Sequence, residues 1–254
     1  MEVVTEVKST SCSATLCACG IFDLDRMWAI VSRAVAAHAS AATAGGGGGQ
    51  RWICAYMTSR GRSASVGPRE HARKRSDQFG FTETLNAVWL TGDFVTRQNR
   101  RPKPRRIHCR IFRSGHVQMV GPRGGAEAQA LCDRLHAMSR IALGCLCAAP
   151  TARINSIIAS GSLGRTVNLD ALARSVAVRR VGQVTYDPRS HIKVKIRVPV
   201  DGRFATVQVF ATGSLTVNSL VSEDQVRRAV SAIWPAATSP IAPVNAEEPA
   251  RAPA

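Results

Sequence analysis

Residues 111–121 read IFRSGHVQMVG, and residues 209–219 read VFATGSLTVNS. Each is an apolar strand end, a tight turn closed by glycine, and an apolar return. Phe112 and Phe210 stand three residues before the turn glycines Gly115 and Gly213. The same layout twice in one chain points to an internal duplication, which would decide the fold.

The flanking segments support it. In SHIKVKIRVPV (190–200), Ile192, Val194, Ile196 and Val198 alternate with His191, Lys193, Lys195 and Arg197. RFATVQVFATG (203–213) sets Ala205, Val207 and Val209 against Thr206, Gln208 and Phe210. RRIHCRIFRSG (105–115) sets Ile107, Cys109 and Ile111 against His108, Arg110 and Phe112. Period two with one apolar face predicts half-buried antiparallel strands. Both phenylalanines fall on the polar face, where an exposed aromatic marks a contact surface. Trp89 falls on that face by parity, with the helix-covered side as the alternative.

Helices are expected after these hairpins. SEDQVRRAVSAIWP (222–235) opens with Ser222 and Gln225 at capping-box spacing and carries a Val226, Val230, Ile233 stripe. GAEAQALCDRLHAMSRIAL (125–143) carries Leu131, Leu135, Met138 and Ala142. Earlier in each half, DLDRMWAIVSRAV (23–35) and NLDALARSVAV (168–178) each start a helix. Asp23 aligns with Asp170 at an offset of 147, and Gly115 with Gly213 at an offset of 98. The 49-residue difference is inserted chain in the first half. A Gly-rich tract (39–50), a basic stretch (60–76) and a second basic loop (97–106) account for it. The expected organisation is a first repeat over 1–148 with these insertions, a second over 149–236, and a disordered Pro/Ala-rich tail over 237–254. Strands followed by long helices make the class α+β. Symmetric pairing of the halves would give a curved antiparallel sheet, with the helices on its convex side.

Lys and Arg number 34 against 17 Asp and Glu, a formal charge of +17. That balance favours a polyanionic partner, nucleic acid before an anionic membrane surface. The two basic segments hold 12 of the 34 cations, so part of the charge belongs to loops. No apolar run is long enough to span a bilayer, and the N-terminus lacks a basic-then-apolar leader, so an intracellular setting is expected. The eight cysteines are then thiols. Two C-x-C pairs, Cys17 with Cys19 and Cys145 with Cys147, are a weaker metal signal than C-x2-C, and no metal or cofactor is expected. There is no P-loop, no H-E-x-x-H and no nucleophile–base order in motif context, which argues against an enzyme.

INSIIASGSLGRTVNLDALA (154–173), VTYDPRSHIKVKIRV (184–198), VQVFATGSLTV (207–217), SEDQVRRAV (222–230) and IWP (233–235) together resemble the TATA-binding protein core. STSCSATL (9–16), FDLDRMWAI (22–30), LNAVWL (85–90) and HCRIFRSGHVQMVG (108–121) resemble the divergent TATA-binding-like proteins of large eukaryotic DNA viruses. The family is itself the standard instance of a minor-groove sheet that kinks DNA with inserted apolar wedges. The resemblance implies a duplicated saddle and a transcription initiation factor that bends promoter DNA. A TFIIB-like factor and an RNA polymerase of eukaryotic type would be its partners. It would act in the nucleus, or in a virus factory for a viral member.

Carried over residue by residue, the wedges fall on Phe112 and Phe210, with partner wedges on Leu85 and His191. The dyad asparagines fall on Ser11 and Ser156, next to Asn155, and the following contacts on Ser13 and Ile158. The contacts after the turns fall on Gln118 and Val120, and on Thr216 and Asn218. Arg197 matches a phosphate-contacting arginine. Lys193, Lys195, Arg110 and Gln208 complete a face that is more polar and cationic than the family's. That departure bears on the A·T preference more than on DNA binding itself, and the half-complete wedge set implies a shallower or more asymmetric bend. The TFIIB-like factor would dock around YDPRSH (186–191), where Asp187 keeps the family's acidic character and Arg189 does not. Two rival readings are a protein-interaction scaffold that has lost specific DNA binding, and an architectural protein binding DNA by charge alone.

Overall fold

The structure, a computed structural model, describes residues 6–17, 22–43, 51–59, 62–67, 84–91, 105–144, 147–189 and 192–238. The chain divides into two compact units, one over Val7–Ile158 and the other from Ala159 onward, to which Glu6 at the start of the first strand also belongs.

The first unit holds strands β1 (Glu6–Thr15), β2 (Arg51–Ser59), β3 (Arg62–Val66), β4 (Thr84–Thr91), β5 (Arg105–Phe112) and β6 (His116–Val120). Its helices are α1 (Leu24–Thr43) and α2 (Gly125–Leu143). The strand order is β1-β6-β5-β4-β2-β3, and the ladders are antiparallel. Met27, Val31 and Val35, one face of α1, meet Trp52, Leu85, Trp89, Ile107, Ile111, Val117 and Met119 of the sheet in one core. Leu131 and Leu135 of α2 close it, with Met138 and Ala142 packed at its margin. Each fully buried large apolar side chain contributes roughly 1.5–3 kcal/mol. Trp89 lies on this helix-covered side, edge-on to Trp52 at 4.8 Å with the Arg134 guanidinium 5.0 Å from its ring centre. Arg105 ion-pairs with Glu127 and donates to the Gly121 carbonyl at 2.6 Å, while Glu127 also accepts from the Arg123 amide. That arginine, counted within a basic loop above, fixes the first turn of α2 to β5.

The second unit repeats the pattern. Strand β7 (Arg153–Ser162) spans the division between the units. It is followed by α3 (Leu169–Arg174), α4 (Val176–Val181), β8 (Gln183–Thr185), β9 (Lys193–Val200), β10 (Arg203–Phe210), β11 (Ser214–Leu220) and α5 (Glu223–Thr238). The order β7-β11-β10-β9-β8 matches β1-β6-β5-β4-β2 strand for strand. Val194, Ile196, Val198, Ala205, Val207 and Val209 face a core completed by Val226, Val230 and Ile233 of α5. The α+β class holds, with antiparallel sheets packed against helices.

The duplicated hairpins share their backbone chemistry. Gly115 donates its amide to the Phe112 carbonyl and Gly213 to that of Phe210, both at 2.9 Å. Their φ values are +75° and +80°, the left-handed region where side chains are strained. A Cβ would stand 2.5 Å from the Cys17 carbonyl at Gly115 and 1.8 Å from that of Arg165 at Gly213. The turns also receive matching bonds, Leu16 amide to Gly115 carbonyl and Leu163 amide to Gly213 carbonyl.

Several boundaries depart from the sequence reading. Helix α1 continues through residues 39–43, taking the start of the expected glycine tract. Residues 62–66, read as part of a basic loop, form β3 against β2. The helix expected over 168–178 is two short helices. Asn168 caps the first by accepting from the Ala171 amide, and Ser175 caps the second by accepting from the Val178 amide. Helix α5 runs two residues into the expected tail and buries Ala237. The remainder of the tail, 239–254, lies outside the described residues.

Candidate nucleic-acid interface

Because side chains alternate across a strand, burying one face of each sheet commits the other to solvent. The open face of the first unit is a set of cross-strand rows. Ser13 of β1 pairs with Gln118 of β6, which pairs with Arg110 of β5, which pairs with Asn86 of β4. The next row is Ser11, Val120, His108 and Val88. Arg110 donates its Nε to Asn86 Oδ1 at 3.1 Å, and Ser13 donates its hydroxyl to Asn155 Oδ1 at 3.1 Å. Phe112 is half-buried at the hairpin shoulder, its ring centre 6.0 Å from that of His116.

In the second unit Asn218, Thr206, Arg197 and Gln183 form one row, and Thr216, Gln208, Lys195 and Thr185 the next. Lys193 pairs with Phe210 and places its ammonium 5.7 Å from the ring centre. Among the described residues, Lys193, Lys195 and Arg197 have no carboxylate partner. Three unneutralised cations along one strand attract a polyanion.

Most of the expected contact residues lie on these open faces. Ser11, Arg110, Phe112, Lys193, Lys195, Gln208, Phe210, Thr216 and Asn218 are half-buried, and Gln118 and Arg197 are exposed. Val120 is 41% exposed, and on β7 Ile158 is 44% exposed with Ser156 on the same face.

Leu85 is a correction. It is fully buried beside Ile111, its cross-strand partner, and no wedge can act from there. Register gives the reason. Thr84 pairs with Phe112 and Lys193 pairs with Phe210, so Leu85 corresponds to Val194, another fully buried residue. The position corresponding to His191 is Thr82, and both lie outside the described residues. Ile192, expected on the inner face, is 79% exposed because the ladder begins only at Lys193.

Sequence reasoning passed over Phe204. It shares the open face of β10 with Thr206, Gln208 and Phe210, is 49% exposed, and lies 4.8 Å beneath the Arg197 guanidinium. The same alternation that selected Phe210 could have found it. Asn86 was also passed over, because both faces of TLNAVWLT carry apolar residues. In the YDPR segment, Asp187 accepts from the Arg189 amide at 2.9 Å and both are exposed. Cys17 Sγ and Cys147 Sγ are 3.6 Å apart, while Cys19 and Cys145 lie outside the described residues.

Residues 151–236 match the family described as transcription factor TFIID, or TATA-binding protein. The fold is similar to that of the Methanococcus jannaschii TATA-binding protein. The TM-score is 0.56 at 17% identity, over 91% of this chain and 97% of that one. No curated protein matches the sequence.

Proposed function

We propose that this chain, whose residues 151–236 match the TATA-binding protein family and whose fold is similar to that of a TATA-binding protein, binds DNA through its open sheet faces as a transcription factor. One observation carries the reading. Both units place a phenylalanine at the same hairpin shoulder, outside the core, among amides and cations. An aromatic there gains little from folding and much from contact with a base step. Lys193, Lys195 and Arg197 supply phosphate contacts, which position without specifying. Phe112 and Phe210 act as wedges in the minor groove and bend promoter DNA. The exposed Asp187 segment is the docking place for a TFIIB-like factor, through which an RNA polymerase of eukaryotic type is recruited. The nucleus is its place of action.

The test is bending of short duplexes measured by resonance energy transfer, at two salt concentrations, for wild type and Phe112→Ala/Phe210→Ala. Wild type is expected to shorten the end-to-end distance, and the double variant to bind without bending. Equal bending by both proteins would refute the wedge assignment. Binding with no bending by either would leave a charge-driven DNA coat. Absence of binding at modest salt would leave a protein scaffold.

A further inference from the structure

We infer that Gln118 is a specificity-determining residue that reads guanine from the minor groove, so that the first unit selects a site containing a G·C pair. The inference deepens the DNA-binding reading above and rests on it.

Gln118 is exposed on β6, with Ser13 of β1 beside it on one side and Arg110 of β5 on the other. Both neighbours already have polar partners. The Ser13 hydroxyl donates to Asn155 Oδ1, and the Arg110 Nε donates to Asn86 Oδ1. Among the described residues no hydrogen bond engages the Gln118 amide. The row therefore presents one solvent-facing donor–acceptor pair without a protein partner among the described residues, flanked by side chains held in place.

The minor groove distinguishes base pairs by little else. Every pair offers acceptors at purine N3 and pyrimidine O2, and only G·C adds a donor, the guanine N2 amino group. A purely apolar face leaves that amino group buried and unpaired, which costs affinity. A carboxamide does the reverse. Its Nε2 donates to guanine N3 and its Oε1 accepts from the N2 amino group. Over an A·T pair the donor is still satisfied, but Oε1 faces a carbon-bound hydrogen. The corresponding place in the second unit is Thr216, between Gln208 and the strand β7. A hydroxyl there can accept or donate, but cannot do both in the side-by-side geometry of an amide. The guanine is therefore assigned to the DNA that the first unit contacts.

The test uses the full chain and A·T-rich duplexes in which one G·C pair is moved stepwise through the site. Each duplex is compared with its inosine·C counterpart, which lacks only the N2 amino group. Affinity is read by fluorescence anisotropy for wild type, Gln118→Met and Gln118→Val. Methionine keeps the length without the amide, and valine suits an exposed strand position, so two independent replacements guard against a fold defect. At one position wild type is expected to prefer G·C over inosine·C by roughly 5- to 150-fold, the range of a good bidentate contact. Both variants are expected to lose that preference. Any difference in duplex stiffness between G·C and inosine·C persists in the variants and is thereby separated. An equal or inverted preference in wild type at every position overturns the assignment, as does a preference that survives in both variants. Failure to bind any duplex overturns the DNA-binding reading itself.

Discussion

Leu85 shows what a single residue's environment decides. Its alternation within TLNAVWLT is uninformative, because Leu85, Ala87 and Trp89 on one face and Val88 and Leu90 on the other are all apolar. Phe112 and Phe210 were legible because their neighbours are sharply sorted between apolar and polar. Where sorting is weak, only the hydrogen-bond register assigns a face, and register depends on partners distant in sequence. The two environments predict opposite phenotypes. Leu85→Ala should cost about 2–5 kcal/mol in denaturant unfolding while leaving the folded protein's DNA affinity unchanged. Phe112→Ala should do the reverse. The buried thiols offer a second residue-scale check. Burial pushes the Cys109 thiol up beyond the ordinary range, with Cys132 nearby adding to it, and pushes Cys132 up to about 11. Raised thiol pKa values mean the unfolded chain loses protons first as pH rises. Stability should hold below about pH 9 and fall above it, and Cys109→Ala/Cys132→Ala should flatten the decline in pH-dependent melting.

At the scale of elements, legibility followed how local the determining chemistry is. The start of α5 was readable because Ser222 and Gln225 cap it: Ser222 Oγ accepts from the Gln225 amide at 3.2 Å, and Gln225 Oε1 accepts from the Val221 amide at 3.1 Å. Ser222→Ala should therefore cost about 1 kcal/mol, read as a lowered melting temperature. Strand β3 was hard to read. In RSASV only Ala64 and Val66 alternate with serines, too short a pattern to mark a strand, and the backbone pairs with β2 at the edge of the sheet. The break between α3 and α4 was equally hidden, since NLDALARSVAV keeps helical spacing across it. Ser175 ends one helix and caps the next, and a cap at that place competes with continuation of the helix.

At the scale of the whole molecule the question is where the formal charge of +17 acts. Net charge alone predicts attraction to DNA and says nothing of a docking face. Cations in loops and cations on a sheet strand make the same electrostatic prediction until the number of phosphates neutralised is counted. Counterion release provides that count, because the logarithm of affinity falls with the logarithm of salt by about 0.9 per phosphate contact on duplex DNA. Lys193, Lys195 and Arg197 form a row along β9 without carboxylate partners among the described residues, and Arg105 is held by Glu127. If β9 is a docking strand, replacing its three cations with glutamine should make the salt slope shallower by about 2.7, with the second unit's fold intact by circular dichroism. Replacing Arg105 should leave the slope unchanged and lower stability, because its charge is already spent on α2. A slope that barely moves on removing the β9 cations would place the phosphate contacts elsewhere in the chain and reduce the strand to an ordinary solvated face. A full change would tie the electrostatic footprint to the strand that carries Lys193 against Phe210, joining phosphate positioning and base-step insertion on one surface.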